Sequence, residues 1–169
     1  FAAGIPTFKM YMTYPAMMIG DGPMYEAMKA IHARAGLCGV HCENSGVIDS
    51  LVAEKKAAGE NSVGCHPETR PDYLEAEAVS RLLRIAQAAD SPIIIVHTTN
   101  AAAMEEVAHA RKRGQTVYVE TCPQYLTLDK SAYYQEDWLE SAKYVCSPPL
   151  RTEYDQAVLW QGLRDGTVQ

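Results

Sequence analysis

The stretch Ser91-Pro92-Ile93-Ile94-Ile95-Val96-His97 limits the possible folds more than any other. It is a continuous apolar run of strand length, rich in β-branched side chains, with no polar face to turn towards water. Such runs suit a parallel strand covered on both sides. Parallel neighbours cannot be joined by a tight turn, so helical crossovers must stand before and after it. The sequence supplies both. Leu74, Ala78, Leu82, Ile85 and Ala86 recur at helical spacing between Asp72 and about Ala89. Beyond the run, Thr98, Thr99 or Asn100 can cap a helix from Ala101 to Arg113, which Gly114 stops.

The same alternation extends in both directions. Gly4 to Tyr14 reads as a strand, with Phe8, Met10 and Met12 on one side and Thr7, Lys9, Tyr11 and Thr13 on the other. Gly20-Asp21-Gly22-Pro23 starts a helix carrying Met24, Ala27, Met28 and Ile31 up to Arg34. Leu37 to Cys42 is a short buried strand, left through Glu43-Asn44-Ser45-Gly46. A helix with Val47, Ile48, Leu51 and Val52 then ends near Gly59. Glu60 to Pro71 is a polar, irregular excursion. Thr116 to Thr121 reads as the fourth strand, and Pro123 to Leu139 as a longer connection with some helical content. Lys143 to Ser147 reads as a fifth strand broken by Pro148-Pro149, before a last helix from about Glu153 to Arg164.

Five strand–helix units describe an α/β fold with a parallel sheet. Lys9, Tyr14, His41, His97, Glu120 and Ser147 lie in or just after strands, mostly towards their C-terminal ends, where a (β/α)8 barrel keeps its active site. A doubly wound sheet binds there too, but no Gly-x-Gly-x-x-Gly follows any strand. A partial TIM-type barrel is therefore expected, with residues 1–169 forming part of one barrel domain. A whole barrel takes about 250 residues. The chain opens on Phe1 and ends on Gly166-Thr167-Val168-Gln169, which looks like the lead-in to another strand, so a longer protein is expected.

Composition narrows the function classes. A formal charge of −6 argues against a nucleic-acid footprint. No apolar run approaches the roughly 18 residues that cross a membrane. No basic, apolar leader is visible at the N-terminus. The five cysteines are odd in number and lack paired Cys-x-x-Cys spacing, which points to a reducing, cytoplasmic setting.

Lys9 is the unusual residue of the first strand, because burying an ammonium is costly unless it is paired or neutral. On its own it reads as an edge-strand lysine facing water. His41 and His97 each end a buried strand, and a lone histidine there is most often structural. Two of them with a strand lysine at an equivalent place point instead to metal. An ammonium has no acceptor, but the lysine can ligate if its neutral amine takes up carbon dioxide and becomes a carbamate, a bidentate anion able to bridge two metals. Cys38 and Cys42 fall on the strand face opposite His41 and read as core. Cys122 as a nucleophile with His97 as base is conceivable but lacks a third orienting group. His32 and His109 read as helix-surface or packing residues, His66 as a loop contact, and Arg70 as the partner of Glu75 or Glu77.

Six motifs, in order, resemble the dihydropyrimidinase and D-hydantoinase family of cyclic amidohydrolases. They are Gly4 to Met12 with Tyr14; Val40-His41-Cys42-Glu43-Asn44; Arg70-Pro71 with Glu75 and Glu77; Ile95-Val96-His97; Glu120 to Leu126; and Cys146-Ser147-Pro148-Pro149-Leu150-Arg151. The resemblance implies a metal-dependent barrel in which carbamylated Lys9 bridges two zinc ions and His41 and His97 ligate one of them. It further implies that Tyr14 hydrogen-bonds the oxyanion and that Ser147 holds the substrate ring through its backbone. The implied reaction is hydrolysis of a dihydropyrimidine or 5-substituted hydantoin to an N-carbamoyl amino acid, in a homotetrameric enzyme. A His-x-His pair and a metal-binding aspartate of the family are expected outside residues 1–169, so these residues alone are not expected to catalyse. An allantoinase or dihydroorotase, or a non-catalytic relative serving as a scaffold, is the alternative.

Overall fold

The structure is a computed structural model that describes all of residues 1–169. Its centre is one parallel sheet of four strands: β1 (Thr7–Tyr11), β2 (Leu37–His41), β3 (Ile93–Ile95) and β4 (Val117–Val119). They lie side by side in chain order, every pair parallel. A doubly wound sheet would reverse its strand order at a switch point, and this one does not. Winding in one direction is the arrangement of a barrel wall.

The crossovers are helical. They comprise α1 (Asp21–His32), α2 (Ser45–Ala57), α3 (Cys65–Glu68), α4 (Asp72–Ala88), α5 (Ala101–Lys112), α6 (Pro123–Thr127), a 3-10 turn at Lys130–Tyr133, α7 (Trp138–Ala142) and α8 (Glu153–Asp165). None is long and apolar enough to cross a membrane. The expected bounds of α1, α4, α5 and α8 hold to within about three residues, because each has an apolar stripe and a chemical start or stop. Asn44 and Asn100 cap α2 and α5 by accepting from Val47 N and Ala103 N. Thr152 and Asp155 form a reciprocal capping box on α8, and Gly166 ends it at φ 77°, where only glycine fits freely.

Register decides which residues face the helices. Met10, Val40, Ile95 and Val119 stand in one row across the sheet. All four are buried, packed with Met24 and Met28 of α1, Leu82 and Leu83 of α4, and Val107 of α5. The next row, Lys9, Gly39, Ile94 and Tyr118, points to the other face. Cys38 and Cys42 lie in the helix-side core, and burial pushes both thiols up, Cys38 to about 11. Phe8 is the exception on its side, half-exposed because β1 is the sheet edge.

One expected element is absent. Lys143 to Ser147 is not a fifth strand: Lys143, Tyr144 and Val145 donate their N–H groups back to Glu140, Ser141 and Ala142, closing off α7. Two prolines then remove the next donors. The place beside β4 is taken instead by the last residues, where Gln169 N donates to Val119 O and Arg111 grips Thr167 O. The polar excursion at 60–71 is likewise less irregular than expected, since it contains α3.

Candidate metal centre

Two turns build the site. β2 ends on His41, and three residues on Asn44 caps α2; His97 stands two residues past β3, and three residues on Asn100 caps α5. Each histidine is thus locked between a strand ladder and a helix start. Met12 N donates to His41 O, and Thr98 N to Glu120 O, so the backbone on either side of the site is fixed across neighbouring strands. Gly39 matters here, because a Cβ on it would lie 2.7 Å from Val96 Cγ1, just before His97.

The two imidazoles meet edge to face, with His41 Nδ1 3.0 Å from His97 Nε2. On the other side of its ring, His41 Nε2 lies 2.7 Å from Glu43 Oε2, and both side chains are almost fully buried. Burial, the His41 ring and then the Lys9 charge depress the pKa of His97 to about 3, so it is neutral at ordinary pH. Neutral imidazole is the form that ligates metal.

Tyr14 closes the site from the β1 side, its ring 5.0 Å from that of His41, with Tyr11 5.9 Å away in a stacked arrangement. Burial raises the Tyr14 pKa above its usual value, the Ser147 side chain works against that, and the Glu43 charge adds to it. Tyr14 is therefore protonated, a donor beside Ser147. Ser147 itself is half-buried and leads into a cis bond to Pro148. Lys9 sits on the same face of the sheet with its Nζ 5.3 Å from the centre of the Tyr11 ring. Its charge reaches His97, but it is exposed on the edge strand and makes no hydrogen bond or ion pair. The structure thus joins His41 to His97, sets Tyr14 near Ser147, and leaves Lys9 close by, over the Tyr11 ring and without a hydrogen bond or ion pair.

The donor set fits a metal ion. Two nitrogens on one tetrahedral zinc, each ~2.0–2.1 Å from it, stand ~3.3 Å apart, close to the separation of the imidazole pair. Three buried side-chain polar atoms lack any partner: Glu43 Oε1, His97 Nδ1 and Thr98 Oγ1. All belong to this pair or to a residue adjoining it. Buried polar atoms are normally satisfied, so the surroundings of the pair hold polar groups that these residues alone leave without partners.

The other candidates resolve differently. Glu75 pairs with Arg151 at 2.9 Å, not with Arg70, and also accepts from Thr99 N and Thr99 Oγ1. Burial pushes its carboxyl up, and Arg151 and Thr99 pull it back. Arg151 in turn reaches Thr99 Oγ1 and Arg70 O, which ties the turn after His97 to the segment after Ser147. Arg70 instead donates to Thr69, and Glu77 is held by Arg81 and Asn44. His66 makes the expected loop contact, to Cys146 O at 2.7 Å. Burial raises the Cys122 thiol, and no hydrogen bond links it to His97, which leaves it without an activating base. Glu60, Cys65 and Glu68 cluster at the surface, but Lys55 already neutralises both carboxylates at 2.6 and 2.8 Å. Glu43 is the one site residue that the motifs contain without a role having been read for it. Its signal is the His-x-Glu spacing, which in extended chain puts both side chains on one side.

No family model matches the chain. It is 42% identical over 167 residues to a D-hydantoinase of Streptomyces coelicolor, covering 98% of this chain and 36% of that one. To a D-hydantoinase of Geobacillus stearothermophilus it is 41% identical, covering 98% and 35%. Among solved structures, dihydropyrimidinase from Brevibacillus agri superposes with a TM-score of 0.96 at 39% identity, over 99% of this chain and 36% of that one. A dihydroorotase from Campylobacter jejuni, 14% identical with a TM-score of 0.64, shares the fold. A sheet wound in one direction, with imidazoles at its strand ends, makes this chain a segment of an amidohydrolase-type (β/α)8 barrel. Within that class it is similar, along nearly all of its own length, to D-hydantoinases and a dihydropyrimidinase, and it spans about a third of the length of the curated relatives it matches.

Proposed function

We propose that this chain contributes part of the active centre of a cyclic amidohydrolase acting on dihydropyrimidines or 5-substituted hydantoins and releasing N-carbamoyl amino acids. The observation that carries the reading is the His41–His97 pair, two ligand nitrogens 3.0 Å apart beside unpartnered buried polar atoms. His41 and His97 would hold one of two zinc ions, and Lys9, as its carbamate, would bridge both. When bound, such ions supply a strongly nucleophilic hydroxide and polarise the substrate carbonyl.

The chain's own residues do the rest. Tyr14, kept protonated by burial, donates its O–H to the carbonyl oxygen as negative charge develops there. Ser147, beside Tyr14, orients the ring through its backbone. A carbamate on Lys9 replaces a positive charge by a negative one facing His97, which favours a cation between them. The centre also needs a His-x-His pair and an aspartate, and no His-x-His occurs in residues 1–169. The family resemblance implies a homotetramer; the cysteine pattern favours a cytoplasmic setting, and the charge of −6 and the lack of a long apolar run argue against nucleic-acid and membrane partners.

The test uses the intact gene product that contains these residues. Zinc analysis should find about two ions per subunit, with hydrolysis of dihydrouracil or a hydantoin. Lys9→Ala should lose both the bridging metal and the activity. A Lys9→Ala protein that kept its metal and its turnover would remove the bridging lysine from the account.

A further inference from the structure

Glu43 follows His41 by two residues, just past the end of β2, and their side chains meet on one side. Its only hydrogen bond is the 2.7 Å contact to His41 Nε2, and its other oxygen has no partner. The position is 2% exposed, where an apolar residue would pack at no such cost. Burying a carboxyl group with a partner for only one of its two oxygens is costly, so the second oxygen marks a place where the fold serves something other than its own packing. The backbone offers Glu43 no freedom to look elsewhere. His41 closes the β2 ladder before it, and Asn44 after it is bound at both ends of its amide, accepting from Val47 N and donating to Glu77.

We propose that Glu43 is the positioning residue of the centre. It holds the His41 ring with the proton on Nε2 and so aims the Nδ1 lone pair at the point that His97 Nε2 also faces. The inference rests on the reading that His41 and His97 hold a metal ion, and adds what sets the tautomer of one of them. A carboxylate behind a ligating imidazole fixes its orientation and makes it a stronger donor, and removing such a group typically weakens metal binding ~10–100-fold. A carboxylate here also offsets part of the charge that a divalent ion brings into a buried site.

Two measurements test this on the intact gene product. The first is the ring-nitrogen NMR spectrum of 15N-histidine-labelled, metal-free wild-type protein. His41 should show a protonated Nε2 and an unprotonated Nδ1. The reverse tautomer overturns the proposal whatever the metal does. The second is zinc affinity by chelator competition in Glu43→Gln, which keeps the side chain's shape. Affinity should fall ~10–100-fold with the secondary structure unchanged. A folded Glu43→Gln protein with wild-type zinc affinity also overturns it. If the variant does not fold, the tautomer in wild-type protein decides alone. A wild-type protein that binds no zinc at all contradicts the metal-holding reading instead, and the two failures are thereby told apart.

Discussion

Tyr14 and His97 share a backbone feature that side-chain chemistry does not require. Both are non-glycine residues in the left-handed region, at φ 68° and 41°. The other two such residues, Ala35 and Asp90, simply end helices. Each departure costs of order 1–3 kcal/mol and persists only where surrounding structure enforces it. Here the enforcement is visible: Thr98 is bonded to Glu120 and Thr121, and Tyr14 accepts backbone bonds from Met17 and Met18. The strain aims two site residues off the ends of their strands towards His41. Tyr14→Phe separates the ring from its hydroxyl. It should keep the packing against His41 and Tyr11, and so the fold, while kcat of the intact gene product falls ~100–1,000-fold, the loss typical of one oxyanion donor. Steady-state kinetics with an unchanged melting curve checks this, and an unaltered kcat removes Tyr14 from the chemistry.

At the scale of elements, the turns that carry the site are held by the buried Arg151–Glu75 pair and by helix caps. Arg151 connects α4 through Glu75, the turn after β3 through Thr99, and the carbonyl of Arg70. Both partners are buried, so Arg151→Ala leaves a carboxylate without its cation and should cost about 3–5 kcal/mol of stability, read from denaturant unfolding. A loss well under 1 kcal/mol would show that the network carries no weight. This network was hidden from the sequence for a physical reason. Local patterning offers Glu75 the nearby Arg70, whereas its actual partner is 76 residues away and reaches it only after the sheet has formed. The fifth strand failed for a related reason. Lys143 to Ser147 reads as a strand, but the N–H groups of Lys143, Tyr144 and Val145 are committed to the end of α7, and Gln169 donates to β4 in its place. Elements with apolar stripes and caps of their own, α4 and α5 above all, were legible because their information is local. His41 and His97 were legible because buried strand ends are few. Both also precede a capping asparagine by three residues, a repeated His-x-x-Asn that marks the two turns as equivalent.

At the scale of the whole molecule, the single direction of winding decides what the parts can do. Row by row, one face of the sheet packs on helices, and the other presents Lys9, Tyr11, His41 and Tyr118. In a closed barrel that second face is the interior, and its upper layer is the site. This is why Lys9 looks like two different residues at two scales. On β1 alone it is an exposed edge lysine; beside His41 and His97 it stands on the face where a bridging anion would belong. The central claim is that His41 and His97 together hold a metal. Zinc content per subunit of the intact gene product, compared between wild type and the His41→Ala/His97→Ala double variant, tests it most directly. The account predicts about two ions in wild type and at most one in the variant; two ions retained in a folded double variant would contradict it.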